Sequence, residues 1–193
     1  MRYWRTLLTA GLAAAAIGAA VPTTIAAAST TASTTTSSVS PYCGIRWGSL
    51  LKARNATTVA PLVNVRAGRH ACFDRLVLDY SGKANGYRVE YVSEVRMDGS
   101  GNLVPLRGGA DLRVIATAPA YDDHYRPTYL PANRAELANV SGWRTFRQVA
   151  WAGSYEGQTT IGLGVRARLP FRVFTLDGPG AGSRLVIDVA HRW

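Results

Sequence analysis

Lysine is almost missing from this 193-residue chain: Lys52 and Lys83 are the only two, although lysine and arginine together number 22. The arginines are scattered, so the dense basic blocks of a nucleic-acid-binding tail are excluded, and no nucleic-acid partner is expected. Acidic residues are also few, 12 in all, and the formal charge is +10. Cysteines number two, Cys43 and Cys72. Without a paired histidine motif they make a poor zinc site. The histidines His70, His124 and His191 fall in no H-E-x-x-H or H-x-H pattern, so no metal and no cofactor is expected. There is no G-x-S-x-G; residues 153–157 (GSYEG) have the wrong spacing for a nucleophile elbow and sit in a turn. Nor is there an uninterrupted apolar run of about 20 residues, the length needed to cross a bilayer.

The first 40 residues stand apart from the rest. Arg2 and Arg5 precede an apolar stretch at residues 7–20, Pro22, Thr23 and Thr24 interrupt it, and Ala26, Ala27 and Ala28 suit an A-x-A cleavage. Residues 1–28 therefore read as a secretory signal peptide. Residues 29–40 (STTASTTTSSVS) have nothing to bury and read as a flexible linker. The expected location is secreted and extracellular, with cell-wall association open. Setting aside Arg2 and Arg5 leaves 20 basic against 12 acidic side chains. Such a surface suits anionic wall polymers, anionic lipid headgroups or acidic glycans. The arginine excess fits recognition of carboxylate or phosphate, and equally a GC-rich genome. In an oxidising compartment Cys43 and Cys72 are expected to pair. Their bond closes a loop of about 30 residues, worth roughly 3.5 kcal/mol in the chain-entropy model. It pins an N-terminal segment, residues 41–60, to a domain at residues 61–193.

That domain reads as all-β. Residues 61–71 (PLVNVRAGRHA) alternate, with Val63 and Val65 on one side. Residues 74–80 put Leu76, Leu78 and Tyr80 on one face, and residues 87–95 alternate again. Residues 98–102 (DGSGN) mark a hairpin turn, without the length or distal glutamate of a calcium loop. Residues 103–106, 110–118, 146–155, 159–166 and 171–176 extend the strand series. Asn133 is expected to cap a helical turn over residues 133–137. About eight strands with frequent turns predict a β-sandwich. One feature repeats: residues 183–189 (SRLVIDV) echo residues 74–80 (DRLVLDY). Arg75 and Asp79 match Arg184 and Asp188, and the four are expected to form cross-strand pairs. The alternative use of Asp79 and Asp188 is as a catalytic carboxylate pair.

Residues 119–143 break the rhythm with Pro119, Pro127 and Pro131. Long connections of this kind are often functional. Tyr121, Asp122, His124, Tyr125, Arg126 and Tyr129 lie in it, and Trp143, Trp151 and Tyr155 lie at or after its end. Their rings can stack on sugars, while Arg126, Arg144 or Arg147 meets carboxylate or phosphate. Core packing explains Trp151 and Tyr155 equally well.

Six segments carry a family resemblance: residues 66–70 (RAGRH), 73–80 (FDRLVLDY), 86–92 (GYRVEYV), 158–163 (QTTIGL), 170–176 (PFRVFTL) and 184–189 (RLVIDV). Together they resemble the AMIN-like domain of exported bacterial proteins, related to the AMIN domain of cell-wall amidases and secretin-type pore proteins. The resemblance spans residues 61–193. It implies a β-sandwich and a role in envelope localisation through peptidoglycan. No catalytic domain accompanies the module, so the expected function is non-catalytic binding of peptidoglycan or an associated anionic wall polymer. Two alternatives stand beside it: a glycan-processing enzyme using Asp122 or Asp123, and an interaction module for another envelope protein.

Overall fold

The computed structural model describes residues 41–193. The expected signal peptide and Ser/Thr-rich linker lie outside the described residues. Among the described residues no helix is long and apolar enough to cross a membrane.

Eight long strands and three short ones form the architecture. The long ones are β2 (Leu62–Arg69), β3 (Phe73–Tyr80), β4 (Tyr87–Val92), β7 (Ala110–Ala116), β8 (Phe146–Tyr155), β9 (Gln158–Val165), β10 (Phe171–Asp177) and β11 (Ser183–Ala190). The short ones are β1 (Lys52–Arg54), β5 (Val95–Arg96) and β6 (Leu103–Val104). They make a four-stranded sheet, β10-β11-β3-β2, a five-stranded sheet, β1-β4-β7-β9-β8, and the small β5-β6 ribbon. Every strand pairing is antiparallel.

Period-two alternation builds the core. The four-stranded sheet sends in Leu62, Val65, Leu76, Leu78, Leu185, Ile187, Val189 and Phe171; the five-stranded sheet answers with Val89, Leu112, Val114, Phe146, Ile161, Leu163 and Val165. Each of these side chains contributes about 1.5–3 kcal/mol by leaving water. The expected burial of Val63 fails for a local reason. The register slips between Leu62 and Asn64, a bulge that turns Leu62 inward and leaves Val63 39% exposed. Residues 87–95 do not form one strand either, because Ser93 and Glu94 separate β4 from β5.

The Gly-rich β9 has a packing reason. The β5-β6 ribbon lies on the outer face of the five-stranded sheet, where Val95 and Val104 pack on Ala150 and Ala152. A Cβ on Gly164 would sit 2.1 Å from the Arg107 carbonyl oxygen.

Two irregular segments close the open sides of the sandwich. At one side, Gly48 bridges to Phe171 at the edge of β10, and β1 pairs with β4. At the other, the long connection runs between the edges of β2 and β8. Leu62 N–H donates to Pro119 O at 2.7 Å and Trp151 N–H to Arg134 O at 2.7 Å; Leu137 N–H donates to Val149 O at 2.8 Å. These bonds cover edge strands that would otherwise be free to pair with another chain. No helix forms at residues 133–137, but Asn133 does cap a single turn: its Oδ1 accepts from Ala135 N–H at 2.9 Å and its carbonyl from Glu136 N–H at 3.3 Å.

Candidate functional site

The echoing strands are neighbours. β3 and β11 pair so that Arg75 faces Asp188 and Asp79 faces Arg184. On the outer face, Asp188 is fully buried and held by two guanidiniums: Arg75 at 2.6 and 2.9 Å, and Arg172 at 2.8 Å. Both arginines lie over aromatic rings, Arg75 near Phe73 and Phe174, and Arg172 near Trp47, Phe73 and Phe174. The second echo is used differently. Asp79 is taken by Arg66 and Asn64 of β2, while Arg184 reaches the Asp177 carbonyl. Neither carboxylate is free to act as an acid or base.

The aromatic and charged residues of the long connection do not converge. Tyr121 and Tyr125 stack at 5.7 Å at the end of the sandwich where β8 turns into β9, and Gly157 N–H donates to the Tyr121 hydroxyl. Tyr155 is exposed at that same turn. Asp122 is consumed locally. It accepts from His124 N–H, Arg126 N–H and Arg126 Nε, and the Arg126 bond holds its carboxyl below the ordinary value. His124 and Tyr125 point to solvent. Tyr129 packs on Trp151, which belongs to the core. Trp143 stacks on Phe146 at the start of β8. It is thus separated from Tyr155 by the whole of β8, roughly 30 Å at the usual rise per residue.

The other end of the sandwich gathers positive charge. Here β2 and β11 finish and β3, β8 and β10 begin. Among the described residues nine of the 20 cationic side chains meet a carboxylate. Six of those that do not, Arg46, Arg69, Arg144, Arg147, Arg166 and Arg192, stand at this end. Three depressions follow one another around it. One, of about 470 Å³, lies between Arg107, Trp143 and Arg147. A second, of about 580 Å³, shares Gly142 with it and is lined by Arg69, His70, Asp74, Arg144 and His191. A third, of about 610 Å³, is lined by Tyr42, Arg46, Trp47, Arg192 and Trp193.

A buried polar network fixes this end. Asp74, 1% exposed, accepts from Thr145 N–H at 2.8 Å and Phe146 N–H at 3.0 Å, both through Oδ2. It thereby ties β3 to the start of β8 in the opposite sheet. His191 Nδ1 lies 2.9 Å from the Thr145 hydroxyl, and Nε2 lies 3.0 Å from the His70 carbonyl. A carbonyl only accepts, so Nε2 carries a proton. Arg166 bonds the carbonyls of Arg144 and His191. The Cys43–Cys72 disulfide anchors the segment bearing Tyr42 and Trp47 to the β2–β3 turn. Among the described residues no group of three His, Cys, Asp or Glu side chains is placed to hold a metal ion.

Sequence reasoning named Trp143, Arg144 and Arg147 but missed Arg69, Asp74, His191 and Arg192. The signal for Asp74 was within reach. It is the first residue of the first echo, and an acid at that position on the inward face of a core strand demands a partner.

The class is thus defined by its fold: an antiparallel two-sheet sandwich with a doubled Arg–Asp strand motif and a basic rim. Residues 60–191 match the family model of the AMIN-like domain, and the chain belongs to that family. No curated protein and no solved structure matches it.

Proposed function

We propose that the protein is an exported, non-catalytic module that holds an anionic polymer of the cell wall, peptidoglycan or a polymer attached to it, against the basic end of its sandwich. One observation carries this reading. Guanidiniums without carboxylate partners collect around three connected depressions together with Trp143, Trp47 and Trp193. Arginine forks bind anionic oxygens, and indole rings stack on sugar faces. Membership of the AMIN-like family supports the envelope context. The disulfide fits an oxidising compartment.

Hydrolysis through Asp122 or Asp123 has little support. Asp122 is locked in a turn by Arg126, and the Arg126 bond lowers its pKa, the reverse of what a general acid needs. An envelope-protein partner is the second reading, favoured by Tyr125, 82% exposed at φ 59°, and Leu130, 73% exposed, at the opposite end. Retention on purified sacculi at physiological salt tests the main reading. Retention no greater than that of a neutral β-sandwich defeats it, and crosslinking in intact cells then tests the second.

A further inference from the structure

The middle depression contains a feature that positive charge does not explain. Asp74 is buried and lines it, yet both of its backbone donors bond Oδ2. Oδ1 has no hydrogen-bond partner among the described residues. Oδ1 keeps access to solvent at the cleft and is free to accept from a donor that arrives there. Arg69 and Arg144 both line the cleft, and neither makes a side-chain hydrogen bond among the described residues. Arg69 also lies 5.9 Å from the centre of the Trp143 ring.

We propose, resting on the wall-polymer reading above, that this cleft is a sugar-phosphate subsite: Arg69 and Arg144 together grip one phosphodiester, and a hydroxyl of the adjoining sugar donates to Asp74. Three physical arguments favour this ligand. The two free oxygens of a phosphodiester accept from two arginine forks, as the Asp188 carboxylate does from Arg75 and Arg172. With neutral histidines, two guanidiniums against one carboxylate leave a net charge of one, which a phosphodiester cancels and a phosphomonoester overshoots. The Asp74 oxygen Oδ1 is free to accept a hydrogen bond, and the hydroxyls of a sugar supply donors. Trp143 beside Arg69, and Trp47 in the next depression, give the flanking sugars apolar faces to stack on.

Purified walls are compared before and after hydrofluoric acid treatment, which cleaves phosphodiesters and leaves peptidoglycan. The parent protein is tested beside Arg69→Gln/Arg144→Gln and beside Arg54→Gln/Arg134→Gln, which removes the same charge elsewhere. The expected result is a loss of about tenfold in affinity for untreated walls in the first variant, little change in the second, and a similar loss for the parent on treated walls. Melting temperatures of both variants confirm folding. Equal binding to treated and untreated walls overturns the subsite and leaves the wall-polymer reading standing. Binding to neither overturns the wall-polymer reading itself. Phospholipid vesicles and duplex DNA are run in parallel; binding to either as tight as to walls shows that charge alone is read, and overturns the sugar contact.

Discussion

Arg75 and Asp188 stand opposite each other on adjacent strands, 113 residues apart in sequence, and join through two hydrogen bonds of 2.6 and 2.9 Å. Arg172 approaches the same carboxylate from the other side at 2.8 Å. The matching pair of the repeat, Asp79 and Arg184, shares a register position but no bond. The repeat is therefore symmetric in backbone and asymmetric in energy. Asp188 is 0% exposed. Removing its charge strands two guanidiniums that are themselves mostly covered. Asp188→Asn is expected to cost about 3 kcal/mol, the lower part of the range for breaking a buried pair. Asp79→Asn breaks a half-exposed pair and is expected to cost less than about 1 kcal/mol. Urea denaturation of the two variants measures the difference, and equal losses would contradict this assignment.

Much of the architecture was readable because alternation is enforced wherever one face of a strand is buried. Leu76, Leu78 and Tyr80 had to face one way, and they do. Val63 misled because a bulge adds one residue without leaving a trace in composition. The basic end was poorly readable for another reason. Arg69, Asp74, Arg144 and His191 come from three separate stretches, and only the pairing of β2, β3 and β11 and the Asp74 bonds to Thr145 and Phe146 bring them together. The long connection attracted attention by its tyrosines and prolines, but its irregularity serves first to cover the edge of β8.

Gly164 permits the segment that leads from β6 to β7 to lie on its sheet, as Gly162 does for Val95 of β5. An added Cβ meets the Arg107 carbonyl oxygen at 2.1 Å, a backbone atom that no rotamer change relieves. Gly164→Ala is expected to destabilise the fold by about 1–3 kcal/mol through overpacking. The loss should be concentrated in the ribbon, so hydrogen exchange at Val95 and Val104 accelerates more than at Leu78. Uniform acceleration would show that the ribbon is not the element displaced.

Asp98 lies in the turn that joins β5 to β6, with Oδ2 buried and unpartnered among the described residues. Burial raises its carboxyl above the ordinary 3.8, against weaker opposing effects of Thr160 and Arg113. The folded chain thus holds this proton more tightly than the unfolded chain. Its contribution to stability falls as pH rises through the interval just above 3.8 and stays reduced at neutral pH. Asp98→Asn removes the charge at nearly constant shape. It is expected to melt higher than the parent at pH 7, with the gap closing as pH falls below 3.8. Thermal melts at both pH values decide it, and a gap that persists in acid would assign the effect to something other than this proton.

Cys43 and Cys72 join across 29 residues of sequence, and the bond holds the wall bearing Tyr42 and Trp47 against the domain. Trp47 is otherwise held by its contact with Phe73 at 6.0 Å, by Arg172 above its ring and by the neighbouring Gly48, whose carbonyl accepts from Phe171 N–H at 2.9 Å. In the chain-entropy model the bond contributes roughly 3.5 kcal/mol by restricting the unfolded chain. Replacing both cysteines by serine is expected to lower stability by about that amount while leaving strands β2–β11 folded. The free segment no longer backs the third depression. Loss of wall binding should therefore appear in this variant at temperatures where circular dichroism still reports the native sheet. Unchanged denaturation midpoints would remove the disulfide from the account of stability, and unchanged binding would remove Tyr42 and Trp47 from the account of the ligand.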